Sequence, residues 1–187
     1  MKLLVIIAST RPSRVGKKVG DWFVGRAREH GAFDVEVADL AELRLPFLDE
    51  AAHPRLARYE HEHTKNWSAS VDSAEAFVFV HPEYNHSYTA PLKNAIDFLQ
   101  REWAYKPVGF VSYGGLAAGV RAVHDLKAVL ATLRATPVVE GVPVPWVATM
   151  ITDDGFEPTE VVAGSVKPML DELARYAVAL APLRAAH

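Results

Sequence analysis

Apolar residues fall along this chain in two rhythms, and the alternation between them outlines the fold. Leu3 to Ala8 is an unbroken apolar, β-branched run, the mark of a central strand covered on both faces. From Val15 to Glu29 the spacing changes. Val15, Val19, Trp22 and Phe23 share one helical stripe, and His30-Gly31 supplies a stop. Phe33, Val35 and Val37 then alternate with Asp34, Glu36 and Ala38, which predicts a strand with one solvated face at a sheet edge. Ala41 to Glu62, with two prolines and mixed charge, predicts loop plus a helical turn or two. Trp67 and Val71 predict a short helix ending near Ser73.

The same rhythms continue through the second half. "AFVFV" at Ala76 to Val80 is a second fully apolar strand, and Pro91, Leu92, Ala95, Ile96 and Leu99 give a helix with proline in its first turn. "PVGFVS" at Pro107 to Ser112 predicts another buried strand, followed by a long helix lined by Val123, Leu126, Val129, Leu130 and Leu133. Thr136 to Glu140 predicts a fifth strand, while Pro143 and Pro145 make the next stretch a poor strand interior. Pro158 to Leu183 reads as a closing amphipathic helix. Strands alternating with helices imply an α/β protein, a doubly wound five-stranded parallel sheet in a three-layer αβα sandwich. With the alternating strand at an edge and the apolar ones inside, the order is 2-1-3-4-5. No linker divides the chain, so one domain over 1–187 is expected.

Composition narrows the chemistry. With 187 residues, half of them hydrophobic, the chain suits a single sizeable core. A net charge of −3 with scattered basic residues gives no footprint for nucleic acid. There is no cysteine, which removes disulfides, thiolate catalysis, iron–sulfur ligation and cysteine-type zinc sites. Met1-Lys2 before the first apolar run faintly mimics a secretory signal, but Arg11 and Arg14 follow where small neutral residues are needed. No apolar run approaches the ~20 residues of a membrane span. A soluble, cytoplasmic protein with no membrane partner is expected.

In a doubly wound sheet, ligands sit outside the carboxyl ends of the strands, beside the point where strand order reverses. That rule selects the loops after Ala8, Val80 and Val111. The first, "STRPSRVG", offers Ser9, Thr10, Ser13, Arg11, Arg14 and the amides of a helix start to one anion. A hydroxyl-capped helix with solvated arginines gives the same pattern. G-x-x-x-x-G-K-[ST] and G-x-G-x-x-G are both absent, so neither a nucleoside triphosphate loop nor a dinucleotide fingerprint is present. Arginine plus hydroxyls suits a terminal phosphate monoester, favouring FMN over NAD or FAD as the retained ligand. In the second loop, Pro82, Glu83, Tyr84 and Asn85 bring a rigid turn, a flat aromatic and backbone groups to the edge of a heterocycle. In the third, "SYGGLAAG", Gly114 and Gly115 let backbone approach a ligand closely. His61-Glu62-His63 lacks metal-ligand spacing, and no metal is expected. Glu83 near His86 as an acid–base pair ranks below positioning, and Trp67 and Trp103 read as packing.

At these residues the sequence resembles the NADPH-dependent FMN reductase family, flavodoxin-like quinone, azo-dye and chromate reductases. The shared motifs are "ASTRPSRVG", "PEYNHSYTAPLKNAIDFL" and "KPVGFVSYGGLAAGVRAV", with "LPFLDE" and "ITDDGFEP" beside them. The resemblance implies that Ser9, Arg11, Arg14, Val15 and Gly16 hold the FMN phosphate. Ser13 is an alternative to Arg14, because many members place a hydroxyl third after the loop arginine. It further implies that Pro82, Glu83, Tyr84 and Asn85 line the isoalloxazine, with Ser112, Tyr113, Gly114 and Gly115 on its other side. The implied activity is ping-pong reduction of a quinone-like or other small acceptor, or of free flavin, by NADPH or NADH. The flavin carries that chemistry, so no protein acid, base or nucleophile is obligatory. A homodimer or homotetramer is implied, with the Lys93–Arg101 helix at the contact. A flavodoxin-type electron carrier and a non-redox binding module are the alternatives.

Overall fold

The computed structural model describes residues 1–186. Its elements run β1 (Lys2–Ile7), α1 (Gly16–His30), β2 (Asp34–Asp39), α2 (Leu40–Leu43), α3 (Glu62–Ser73), β3 (Ala76–Pro82), α4 (Ala90–Asp97), β4 (Pro107–Tyr113), α5 (Val120–Thr132), β5 (Thr136–Pro137), β6 (Val142–Val144), α6 (Glu160–Gly164) and α7 (Val166–Ala185). The sheet is parallel in order β2-β1-β3-β4-β5, as the pattern predicts, with β6 also paired to β4.

Side chains alternate across the sheet and build two cores. Leu3, Val5 and Ile7 pack with Val19, Phe23, Met169 and Leu173 on the α1/α7 face. Leu4, Ile6, Phe77 and Phe79 pack with Trp67, Ile96, Trp103 and Leu126 on the other. Trp67 and Trp103 are fully buried core residues, their ring centroids 6.0 Å apart. Helix α1 lies close on β1 because position 20 is glycine. A Cβ there would stand 2.5 Å from Cδ1 of Ile7.

Two expectations are corrected. The fifth sheet position is held by two short segments, β5 and β6, rather than by one strand over Thr136–Glu140. Between them the chain turns outward, leaving Val139 87% exposed. Pro143 is a strand residue after all. It pairs in register with Ser112 on the sheet edge, where a residue without an N–H is tolerated. The closing helix is also divided, into α6 and α7 at Ser165. Pro168, in the first turn of α7, cannot donate to the carbonyl of Gly164, which ends the α6 ladder there.

Candidate functional site

The reversal of strand order lies between β1 and β3, and their following loops meet above it. A cleft of about 210 Å3 opens there, lined by Ser9, Arg11, Ser13, Arg14, Val15, Pro82, Glu83, Tyr84, Tyr113, Gly114 and Val147. A second hollow of about 410 Å3 adjoins it through Glu83 and Gly114, and contains Asn85, Gly115, Leu116 and Arg121. Most residues selected from the sequence thus share one site, with Asn85 and Gly115 in its extension.

The first loop ends in an open helix terminus. No side chain caps α1, its first turn carries no acidic residue, and its earliest ladder bond is Val19 N to Val15 O. The leading amides therefore have no hydrogen-bond partner among the described residues, beside a cleft that Val15 lines, and the helix dipole favours an anion there. Gly16 forms the floor. A Cβ at that position would lie 2.2 Å from the Tyr113 hydroxyl, so only glycine lets the turn pass beneath the ring.

The two arginines of this loop differ sharply. Arg14 is engaged by Asp39 at the end of β2, with Nη1 and Nη2 donating to the two carboxylate oxygens at 2.5 and 2.7 Å. Nη1 also donates to the carbonyl of Ser9 at 2.9 Å, and Asp39 in turn caps α2 through Ala41 N. These bonds raise the Arg14 pKa further, holding it cationic. Arg11 is exposed and makes no ion pair among the described residues.

The second loop is a tight turn closed in both directions between Tyr84 and Ser87, at 2.9 and 3.0 Å. Asn85 and His86 occupy its centre at φ of 50° and 69°, the left-handed pair of a type I′ turn. Asparagine tolerates that conformation, so the turn was legible there. Tyr84 Oη reaches the buried Ser9 hydroxyl at 3.4 Å. The Glu83 carboxylate faces α5, accepting from Arg121 Nε at 2.5 Å and from Arg121 N at 3.3 Å. It is therefore the backbone of Glu83 that borders the cleft, its N–H bonded to Tyr113 O.

The third loop leaves β4 at Tyr113. Its hydroxyl is buried beside the Ser9 hydroxyl but makes no hydrogen bond of ordinary length among the described residues, and burial pushes its pKa up. Gly119 starts α5 at φ 80°, where a Cβ would come within 2.8 Å of Tyr113 N. Ser112 stands apart from the cleft. It is buried, and it lines a hollow between α5 and the sheet edge with Phe110 and His124. The alternation of β4 sends it to the opposite face from Tyr113.

Sequence reasoning missed three positions. Val147 enters the cleft from the chain after β6, its N–H on Gly114 O at 3.1 Å. Trp146 precedes it with N–H on Gly115 O at 3.0 Å. The proline-rich stretch around both has no periodicity to read. Asp39, the partner of Arg14, carried a signal in its place before Leu40, as a helix cap at a strand end. The His61-Glu62-His63 group forms no metal cluster among the described residues. His63 Nε2 instead pairs with Asp49 at 2.9 Å.

Comparison with known proteins agrees with the geometry. An NAD(P)H-dependent FMN reductase of Schizosaccharomyces pombe is 41% identical over 120 residues, covering 63% of this chain and 60% of that one. One from Saccharomyces cerevisiae is 35% identical over 146 residues, covering 72% and 75%. The alignments to the first relatives span about 60% of their length. Among solved structures, a flavoenzyme NAD(P)H:(acceptor) oxidoreductase from Paracoccus denitrificans superposes with a TM-score of 0.75 at 22% identity, over 94% of this chain and 96% of its own. That likeness shows the flavodoxin-like fold. The family model for NADPH-dependent FMN reductase matches residues 1–147, and the chain belongs to that family.

Proposed function

We propose that the protein is an FMN-dependent NAD(P)H oxidoreductase that passes reducing equivalents to a quinone-like acceptor, another small oxidant or free flavin. The observation that carries this reading is the convergence of unsatisfied donors on one cleft. Arg11, without an ion pair among the described residues, and the buried Tyr113 hydroxyl beside Ser9 line this cleft, next to the uncapped start of α1 at Val15. Donors without acceptors fit a ligand with a phosphate end and a polyol beside it.

In this reading Arg11, Ser13 and the amides around Gly16 hold the phosphate, and Arg14 keeps the loop in shape through Asp39. Ser9 and Tyr113 face the ribityl chain. Pro82, Tyr84, Gly114 and Val147 border the ring, with Asn85 and Gly115 at its far edge and Glu83 contributing backbone. Ser112 supports β4 from behind. Bound FMN supplies a ring that accepts hydride from NADPH or NADH and delivers two electrons to the acceptor. The protein's part is to orient the ring and shield one face. A single FMN-binding domain spans 1–187, working in the cytoplasm as a homodimer or homotetramer through the face of α4. Among the described residues no helix is long and apolar enough to cross a membrane.

An absorption spectrum tests the reading. Purified protein with added FMN should retain flavin bands through gel filtration, lose them on anaerobic addition of NADPH, and regain them with menadione. A protein that stays colourless in excess FMN overturns the flavin site. Retained flavin that neither NADPH nor NADH bleaches leaves an electron carrier in its place.

A further inference from the structure

Left-handed backbone at non-glycine residues falls into two groups in this molecule. Arg44, Ala57, Tyr105 and Arg134 each follow a helical turn, where such a residue commonly closes the end. Asn85 and His86 instead line the cleft's extension, Ala118 sits between its lining residues Ala117 and Gly119, and Trp146 comes just before Val147 of the cleft. Trp146 is the least expected of them, a bulky side chain at φ 49° and ψ 41°. Its backbone is fixed from both sides. The N–H donates to Gly115 O, and the carbonyl accepts from both Thr149 N and Thr149 Oγ1 at 2.9 Å.

The ring is not used by the core. Trp67 and Trp103 are buried, and Trp22 packs edge-on to Phe156, whereas Trp146 is 56% exposed. Its indole N–H has no hydrogen-bond partner among the described residues. The six-membered ring lies against Gly115, where a Cβ would be 4.0 Å away, and Leu116 beside it is 76% exposed. Tyr84, itself partly exposed, lines the cleft together with Val147, the residue after Trp146. A large exposed ring on a fixed backbone, resting on Gly115 at the edge of the hollow, serves a ligand better than it serves stability.

We propose that Trp146, with Leu116, is the platform that receives planar aromatic acceptors at the open side of the flavin site, making it a specificity-determining residue. This rests on the flavin reading given above. A flat quinone gains by stacking on such a surface, whereas a compact inorganic oxidant that takes one electron at a time has nothing to stack.

Steady-state kinetics with the FMN-loaded protein at saturating NADPH test it. Trp146→Ala is expected to lower kcat/KM for menadione by about tenfold, chiefly through KM. Ferricyanide reduction and the FMN dissociation constant should stay at wild-type values, and Trp146→Phe should recover most of the menadione activity. Menadione kinetics unchanged in Trp146→Ala, or menadione and ferricyanide falling together, would overturn the platform while leaving the flavin site standing. A wild-type protein that neither holds FMN nor reduces menadione would remove both readings.

Discussion

Arg11 and Arg14 are three residues apart and chemically alike, yet the fold gives them opposite surroundings, one exposed and one ion-paired. The Asp39 carboxylate is 3% exposed beneath an Arg14 guanidinium that is 14% exposed, so the carboxylate has little water to fall back on. Breaking such a pair leaves an uncompensated buried charge, typically at a loss of about 3–5 kcal/mol. Arg14→Ala should therefore lower the melting temperature of the apoprotein markedly. Arg11→Ala should leave that temperature nearly unchanged and weaken FMN by about tenfold, or ~1.4 kcal/mol. Apoprotein melts and FMN fluorescence titrations on the two variants read these effects separately. An Arg11→Ala protein that holds FMN as tightly as the wild type would contradict the phosphate assignment. Sequence alone could not sort these arginines. Their difference depends on Asp39, a residue 25 positions from Arg14 that only the parallel pairing of β1 and β2 brings near.

At the scale of elements, legibility followed burial. β1, β3 and β4 are covered on both faces, so almost every side chain must be apolar, and their boundaries could be read to within a residue or two. The fifth sheet position gave no such signal. Only β4 flanks it, its ladder is a few bonds long, and Pro137, Pro143 and Pro145 deny the outer edge to a further strand. β3 carries one exception to its own apolar rule. His81 is fully buried beside Phe110 at its carboxyl end, with Nδ1 on Pro82 O at 3.2 Å and Nε2 without a partner among the described residues. Burial depresses its pKa from 6.5 to about 4. The unfolded chain thus binds a proton that the folded chain refuses, and stability is fully present above pH 6.5 and lost as pH falls toward 4. That loss is on the order of 3 kcal/mol. His81→Phe, which keeps a flat ring against Phe110, should flatten the fall in urea midpoint between pH 6.5 and pH 4. An equal fall in both proteins would show that His81 is not the group responsible.

For the whole molecule, the topology decides where chemistry can happen before any side chain is considered. Order β2-β1-β3-β4 places a crevice between the ends of β1 and β3, and most of the residues chosen for their chemistry lie around it or its extension, Ser112 excepted. Arg11 and the leading amides of α1 lack acceptors among the described residues, so a ligand that supplies them should stabilise the entire fold, not only the loops. Free FMN at about 100 times its dissociation constant adds ~2.7 kcal/mol to a protein that binds it only when folded. In a chain of this size that corresponds to a rise in melting temperature of about 5–10 °C. Riboflavin offers the same ring and ribityl chain without the phosphate. If Arg11 and the open amides of α1 supply most of the grip, riboflavin at the same concentration should raise the melting temperature far less than FMN. Equal shifts would mean that the ring loops hold the ligand unaided and that the helix terminus is not an anion site. A rise with FMN that disappears in Arg11→Ala, while the riboflavin shift is unchanged, would tie the phosphate to that one guanidinium.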